Sequence, residues 1–388
     1  MVHALRPRQL FASTLRVFIL LAAVRFALPV LAPDAETRMT VLKDDWSSGT
    51  AGTRVLAMRS LNPEYDFMSR TFLVMALADE ALADPHTKVE NLALMDTIIA
   101  RTLEMEDRQG QSHWLLSYWR PEGTVGTGRS LFVDGEILVM VTARRLVADD
   151  RPELRAETTR RSEQVRANLG SGGLPGLAES YANEGWLFCH AMALLGLRAE
   201  EVLDGVNNQD LFATFARTAR DRLTDPRGSG MLVSSFTMDG SPDDGAEGSS
   251  IWFVASALHV VLPDLAREQY RHARHELGRS ILGLGYSREW PAHQSYVQDV
   301  DSGPLIPILE ASTSASGFAL AAARVHGDTR WTRQLDDALG AAEALLRVSP
   351  ALTEWAGNPV ADAVIVWGQG VGPMFRVLEQ PTAMASGS

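Results

Sequence analysis

Six stretches of this sequence are apolar around nearly every side of a helix. They are FMSRTFLVMALADEAL, SLFVDGEILVMVTARRLV, GWLFCHAMALLGL, SSIWFVASALHVVL, SASGFALAAARV and NPVADAVIVWGQGVG. Between them lie VENLALMDTIIARTLEME, RAETTRRSEQVRANL, DLFATFARTARDRL, LAREQYRHARHELGRSIL and TRQLDDALGAAEALLRV, which are amphipathic and rich in Arg, Asp and Glu. A helix apolar all round has to be buried, and an amphipathic one can cover it. The buried kind recurs at roughly 45 to 70 residues, too irregularly for a short strict helical repeat. That spacing suits helical hairpins. Six of them closed in a ring predict an all-α (α/α)6 toroid, with the inner helices lining a central cavity by their N-terminal ends. No sustained alternation of a strand kind is present.

The chain has 388 residues, 46% hydrophobic, which is long enough to bury such a core. Its formal net charge of −12 argues against a nucleic-acid partner. The single cysteine, Cys189, excludes an internal disulfide and a thiolate zinc site. There is no H-E-x-x-H, dinucleotide fingerprint or G-x-S-x-G elbow, so neither metal nor cofactor is expected. His272 and His275 fall on a charge-rich helix and read as solvated.

Residues 1–36 differ from the rest. Arg6, Arg8 and Arg16 precede VFILLAAVRFALPVLAP, the layout of a secretory signal or anchor. Arg25 interrupts the run, and Pro33 follows the small residues Val30 and Ala32 in a way that opposes cleavage. The expectation is a membrane-associated N-terminal segment, a toroid over residues 37–380 outside the cytoplasm and a disordered tail at 381–388. A periplasmic or secreted protein is the alternative, and so is an apolar helix packed on the protein's own body.

A polar or glycine-rich stretch comes before each buried helix: NPEYD, GTGRS, SYANEG, DDGAEGSS, DVDSGP and EWAGN. Acids and hydroxyls there first of all cap helices. In a toroid the same ends converge on one mouth, where polar groups over an apolar cavity make a site. In SYANEGWLFCH, Tyr181, Glu184, Trp186, Cys189 and His190 are candidates, although His190 also reads as a core histidine and Cys189 as a small hydrophobe. Glu247 is a candidate acid in DGAEGSS. Asp66, four residues before Arg70, is a candidate base or an ion pair, with Tyr65 beside it. Asp134 and Glu136 interrupt an apolar run, and at least one is expected to face the cavity. In DVDSGP, Asp299 and Asp301 read as a turn or as a buried acid. The nearby Trp290, His293 and Tyr296 would raise a carboxyl pKa by lowering the local polarity.

The segment SYANEGWLFCHAMALLGLRAEEVLDG resembles the linalool dehydratase/isomerase group of bacterial (α/α)6 proteins. Tyr181, Glu184, Cys189, Gly196, Leu197 and Asp204 occupy the matching places. The family pattern has a second cysteine beside the glutamate and a longer glutamate-to-cysteine spacing, and this chain has neither. DVDSGP is also similar to the DxDD acid of protonation-initiated terpene cyclases. The resemblance implies cofactor-free acid–base chemistry on an isoprenoid-like alcohol or alkene.

Three functions are expected from this. The first is a lyase, isomerase or cyclase on a small apolar substrate near a membrane. Its acid would be Asp301 or Asp299, and its partner Glu184, Asp66 or His190. The second is a glycoside-active enzyme with two carboxyls, in which Trp252 and Trp290 stack on sugar rings. The third is a non-catalytic envelope binding protein. Oligomerisation is left open.

Overall fold

The computed structural model describes residues 35–48, 51–171, 173–292, 294, 305–306, 309–348 and 359–380. Its helices are α1 (Ala35–Ser47), α2 (Ala51–Leu61), α3 (Pro63–Ala83), α4 (Lys88–Gln109), α5 (Leu131–Val147), α6 (Pro152–Ser171) and α7 (Leu187–Asp204). They continue with α8 (Gln209–Arg222), α9 (Gly248–Ala257), α10 (Pro263–Glu276), α11 (Thr313–Val325), α12 (Thr329–Val348), α13 (Pro359–Gly370) and α14 (Pro373–Leu378).

The six apolar stretches are α3, α5, α7, α9, α11 and α13, and they close a ring. Each packs on the next, and α13 returns to α3. The amphipathic helices form the outer layer. α4 lies on α3 and α5, α6 on α5 and α7, α10 on α9, and α12 on α11. The chain's own order does not supply the cover for α13. The N-terminal helix α1 does, so segments far apart in sequence complete the last hairpin.

Two glycines explain how tightly α5 and α7 sit. A Cβ on Gly135 would lie 3.1 Å from the Ala193 amide nitrogen, and one on Gly196 would lie 2.7 Å from Leu138 Cγ. The axis of the ring is filled rather than open. Phe72, Phe188, Phe253, Phe318 and Trp367, one from each inner helix except α5, stack against one another at centroid distances from 4.3 to 6.4 Å. Each such ring buries a large apolar area, and offset or edge contacts add to that.

Short strands edge the same end of the ring, which the sequence reading did not anticipate. β1 (Glu184–Trp186) pairs antiparallel with β2 (Ser235–Thr237). A second sheet has the order β3 (Gly278–Ile281), β4 (Leu284–Arg288), β6 (Ala311–Ser312), β5 (Leu305–Ile306). Strands of two to five residues are too short to show alternation. The amphipathic stretch expected to run to Leu282 therefore ends as a helix at Glu276 and turns into β3.

No helix among the described residues is long and apolar enough to cross a membrane. The expected N-terminal anchor, apart from its last two residues, lies outside the described residues, as does the 381–388 tail.

If the α5–α7 contact is as close as the glycines indicate, Gly196→Val overpacks it at a cost of about 1–3 kcal/mol. Calorimetry or circular dichroism should then show the unfolding midpoint falling by a few degrees. An unchanged midpoint would mean that the two helices can separate freely.

Candidate active site

The N-terminal ends of all six inner helices meet at one mouth, over a cavity of about 140 Å³. α3 contributes Glu64, Tyr65 and Met68, and α5 contributes Phe132. Phe188 and Cys189 come from α7, Ser249 and Ser250 from α9, Thr313, Ser314 and Gly317 from α11, and Val360, Ala361 and Val364 from α13. The loops between helices add Leu116, Tyr118, Tyr181, Trp186 and Glu247. The floor is the aromatic plug, represented here by Phe188 and Phe318.

Local rules fix the polar groups. Asn62 caps α3 by accepting from the Glu64 amide at 2.8 Å, and Pro63 opens the helix. Glu64 thereby sits in the first turn, where the helix dipole favours negative charge. Tyr181 and Glu184 are joined by a tight turn through Ala182 and Asn183. Their backbones exchange hydrogen bonds at 3.0 and 2.9 Å, and Asn183 takes the left-handed φ of 56° that such a turn requires. Glu179 holds that turn in place. Its carboxylate accepts from the amides of Asn183 (2.6 Å), Gly126 (2.9 Å) and Val125 (3.1 Å).

A chain of contacts links the two acids. The Tyr181 hydroxyl accepts from the Leu116 amide at 2.9 Å and donates to Glu64. Tyr181 stacks on Tyr118, with ring centroids 4.5 Å apart. The Tyr118 hydroxyl lies 3.4 Å from Glu184, which also accepts from the indole N–H of Trp186. Desolvation raises the Glu184 pKa, and Asp243 and Asp244 add to the rise. Burial also pushes the Tyr181 hydroxyl and the Cys189 thiol upward, so both stay protonated at neutral pH.

Glu136 stands behind this group. It is fully buried and shares a hydrogen bond with Thr71, and its Oε1 has no partner among the described residues. Desolvation first, then the charge of Glu64, raises its pKa to about 8.

Several candidates from the sequence occupy other surroundings. Asp66 is buried against Arg70 at 2.8 Å, with Arg59 at 3.3 Å, in an ion pair rather than in the cavity lining. Asp134 accepts from Arg161 and Arg129, each at 2.6 Å, and from Gln111 at 3.0 Å. Of the Asp134 and Glu136 pair, neither lines the cavity, and only Glu136 acts electrostatically on the groups that do. Both ring nitrogens of His190 are engaged, by the Ala178 amide (2.9 Å) and the Trp186 carbonyl (2.7 Å), and burial lowers its pKa to about 4. His190 stacks on Phe215 in the core.

Trp252 is a core residue whose N–H donates to Ser287 at 2.7 Å. Trp290 is buried away from the cavity lining. Asp299, Asp301, His293 and Tyr296 lie outside the described residues. Tyr65, Tyr181, Trp186, Cys189 and Glu247 line the cavity, and Glu184 bonds to two residues that do. Sequence reading passed over Glu64, Tyr118 and Glu179. The cap signal N-P-E and the aromatic run WLLSYW were the clues to the first two.

No protein-family model matches the chain, and no curated protein matches it. Solved structures do. The GH76A alpha-1,6-mannanase of Salegentibacter sp. HEL1_6 aligns at TM-score 0.46 and 11% identity, covering 81% of this chain and 90% of that one. The unsaturated glucuronyl hydrolase of Bacillus sp. GL1, responsible for degradation of glycosaminoglycan, aligns at 0.47 and 14%, covering 78% and 85%. A family 105 glycoside hydrolase of C. acetobutylicum ATCC 824 aligns at 0.45 and 11%, covering 86% and 99%.

These findings correct the first functional expectation. The similar structures named are glycoside hydrolases, not terpenoid lyases or isomerases, so the linalool dehydratase/isomerase resemblance has no counterpart among them. The cavity gives the physical reason. Two carboxyls, three tyrosine hydroxyls and four serine or threonine residues line it. An isoprenoid would bury those groups without offering them partners, which is costly. The segment expected to contact a membrane lies, apart from residues 35 and 36, outside the described residues, among which no helix is long and apolar enough to cross one.

The state of Glu136 makes stability depend on pH. A carboxyl whose folded pKa lies near 8 binds its proton more tightly folded than unfolded. Its contribution is fully present below about pH 4. It is lost as pH rises through the folded value near 8. Urea midpoints of the wild type should therefore fall between pH 5 and pH 8. In Glu136→Gln that slope should flatten, with the largest gain at pH 8. Equal slopes in the two proteins would show that Glu136 is ionised in the fold.

Proposed function

We propose that this protein is a glycoside-active enzyme that cleaves a glycosidic bond with two carboxyls at the mouth of the toroid. The observation that carries the reading is the contrast between Glu184 and Glu64. Desolvation, with the neighbouring acids Asp243 and Asp244, raises the Glu184 pKa against the hydrogen bonds from Trp186 and Tyr118 that lower it. Glu64 sits at a helix N-terminus and receives the Tyr181 hydroxyl, both of which stabilise a carboxylate. Two carboxyls in differing surroundings at one mouth are the arrangement glycoside cleavage needs.

In this reading Glu184 donates its proton to the glycosidic oxygen as the C–O bond breaks. Glu64 faces the positive charge that develops on the sugar ring. It either activates the water that attacks or forms the bond to the anomeric carbon itself. The exposed face of Tyr118, backed by Tyr181, and the indole of Trp186 offer platforms for the sugar's C–H faces. Tyr65, Ser249, Ser250 and Ser314 supply hydroxyls to its own.

The test is turnover across a panel of 4-nitrophenyl glycosides and reducing-end-labelled oligosaccharides. Glu184→Gln and Glu64→Gln should each lower kcat by about 10²–10⁴-fold. The alkaline limb of the wild-type pH profile should lie above the ordinary carboxylate range and vanish in Glu184→Gln. Tyr118→Ala should raise KM with a smaller effect on kcat. Absence of turnover on every glycoside, or full activity in both glutamine variants, would remove the proposal.

A further inference from the structure

We infer that Glu289 is a positioning residue that turns Ser249 into a pure hydrogen-bond acceptor for one sugar hydroxyl, so that the cavity rejects sugars in which this hydroxyl is missing or replaced by fluorine. The inference rests on the glycoside reading and adds how one group of the site reads its substrate.

The observation is where the Ser249 hydroxyl sends its hydrogen. Ser249 lies in the first turn of α9 and lines the cavity. Its hydroxyl donates to Glu289 Oε1 at 2.7 Å, and its amide donates to the same oxygen at 2.9 Å. Glu289 is buried and its Oε2 has no partner, so among the described residues this carboxyl bonds to Ser249 alone. The backbone fixes the same pair. Glu289 follows β4, and its carbonyl accepts from the Gly248 amide at 2.7 Å. A Cβ on Gly248 would lie 2.6 Å from the Arg288 carbonyl oxygen, so glycine is what lets α9 begin this close to the end of β4.

A serine hydroxyl has one hydrogen to give and two lone pairs with which to accept. With the hydrogen committed to Glu289, Ser249 offers a ligand its lone pairs only. A hydroxyl that is already donating is polarised into a better acceptor. A plain capping role for Glu289 accounts for less. Glu247, the residue before α9, makes no side-chain cap bond, and the Ser249 amide bond alone would satisfy that helix end. The hydroxyl bond is the part that a cap does not need. A sugar hydroxyl set against Ser249 must then be the donor. A group that cannot donate leaves the serine oxygen without its partner, the kind of loss by which a polar site discriminates.

The experiment uses the full chain and the 4-nitrophenyl glycoside that it turns over fastest. Inhibition constants are measured for the matching methyl glycoside and for its monodeoxy and monodeoxyfluoro forms at each ring position. At one position both analogues should bind about tenfold more weakly than the parent, and by similar amounts, because fluorine cannot donate. Ser249→Ala should weaken the parent and erase the difference at that position alone. Glu289→Gln keeps an accepting oxygen and should keep the pattern. Glu289→Ala frees the serine hydrogen, so the fluoro sugar should then bind more tightly than the deoxy one. A cap would lose stability in these variants without changing that order, and if Glu289→Ala does not fold, the wild type and Ser249→Ala decide alone. A fluoro sugar that regains in the wild type what the deoxy sugar loses, a Ser249→Ala variant without a position-specific change, or an unaltered order in folded Glu289→Ala would overturn the inference and leave the glycoside reading standing. Absence of turnover on every glycoside would overturn both.

Discussion

The structure depends on the closure of α13 against α3. Six helices that are apolar on every side cannot be left with an open edge, because the first and last would expose a full face to water. Closure buries both faces and orients all six inner helices the same way around the axis. Their N-terminal ends then share one mouth. Each end brings amide groups without helical partners and a partial positive charge. Acids gather there for that reason: Glu64 in the first turn of α3, Glu247 just before α9, and Glu289 accepting from the Ser249 amide at 2.9 Å. An acid-rich rim is thus a consequence of how the ring closes.

The buried acids divide by what reaches them. Asp66 pairs with Arg70 of its own helix and with Arg59 of α2, and Asp134 pairs with Arg161 of α6. Asp79 meets a helix end instead, accepting from the Met374 amide of α14 at 2.8 Å, and burial raises its pKa to about 7. Glu64 and Glu247 line the mouth, Glu184 bonds to Tyr118 and Trp186 there, and Glu136 stands behind them against Thr71. Glu64, Glu136 and Glu184 all act on the single cysteine, and Glu64 acts on Glu136. Acids on the same helices, α3 and α5, therefore serve either in ion pairs (Asp66, Asp134) or at and behind the mouth (Glu64, Glu136).

The isoprenoid expectation went astray over what the apolar inner surfaces contact. The apolar helices suggested an apolar ligand. Their side chains instead contact each other, and Phe72, Phe188, Phe253, Phe318 and Trp367 fill the axis. Little of that surface is left for a substrate. What remains open is the mouth, where hydroxyls, carboxyls and a half-exposed tyrosine stand among apolar side chains.

Much of the architecture was legible in the sequence. Hydrophobicity around a full helical turn is a local property, so the six inner helices and their amphipathic partners could be read directly, and the ring with them. The polar stretches ahead of each inner helix were legible for the same reason, since caps are local. Partner choice was not. The Asp66–Arg70 pair was legible from its i, i+4 spacing, but nothing near Asp134 says that an arginine from another helix will take the carboxylate, or that Glu136 is left to Thr71. Nor could Tyr118, on a loop far from Glu184 in the chain, be assigned to it. The cover of α13 by α1 joins the two ends of the described chain, a pairing that only closure selects. Helical periodicity is written into neighbours along the chain, while the protonation of a carboxyl depends on what the folded ring brings beside it.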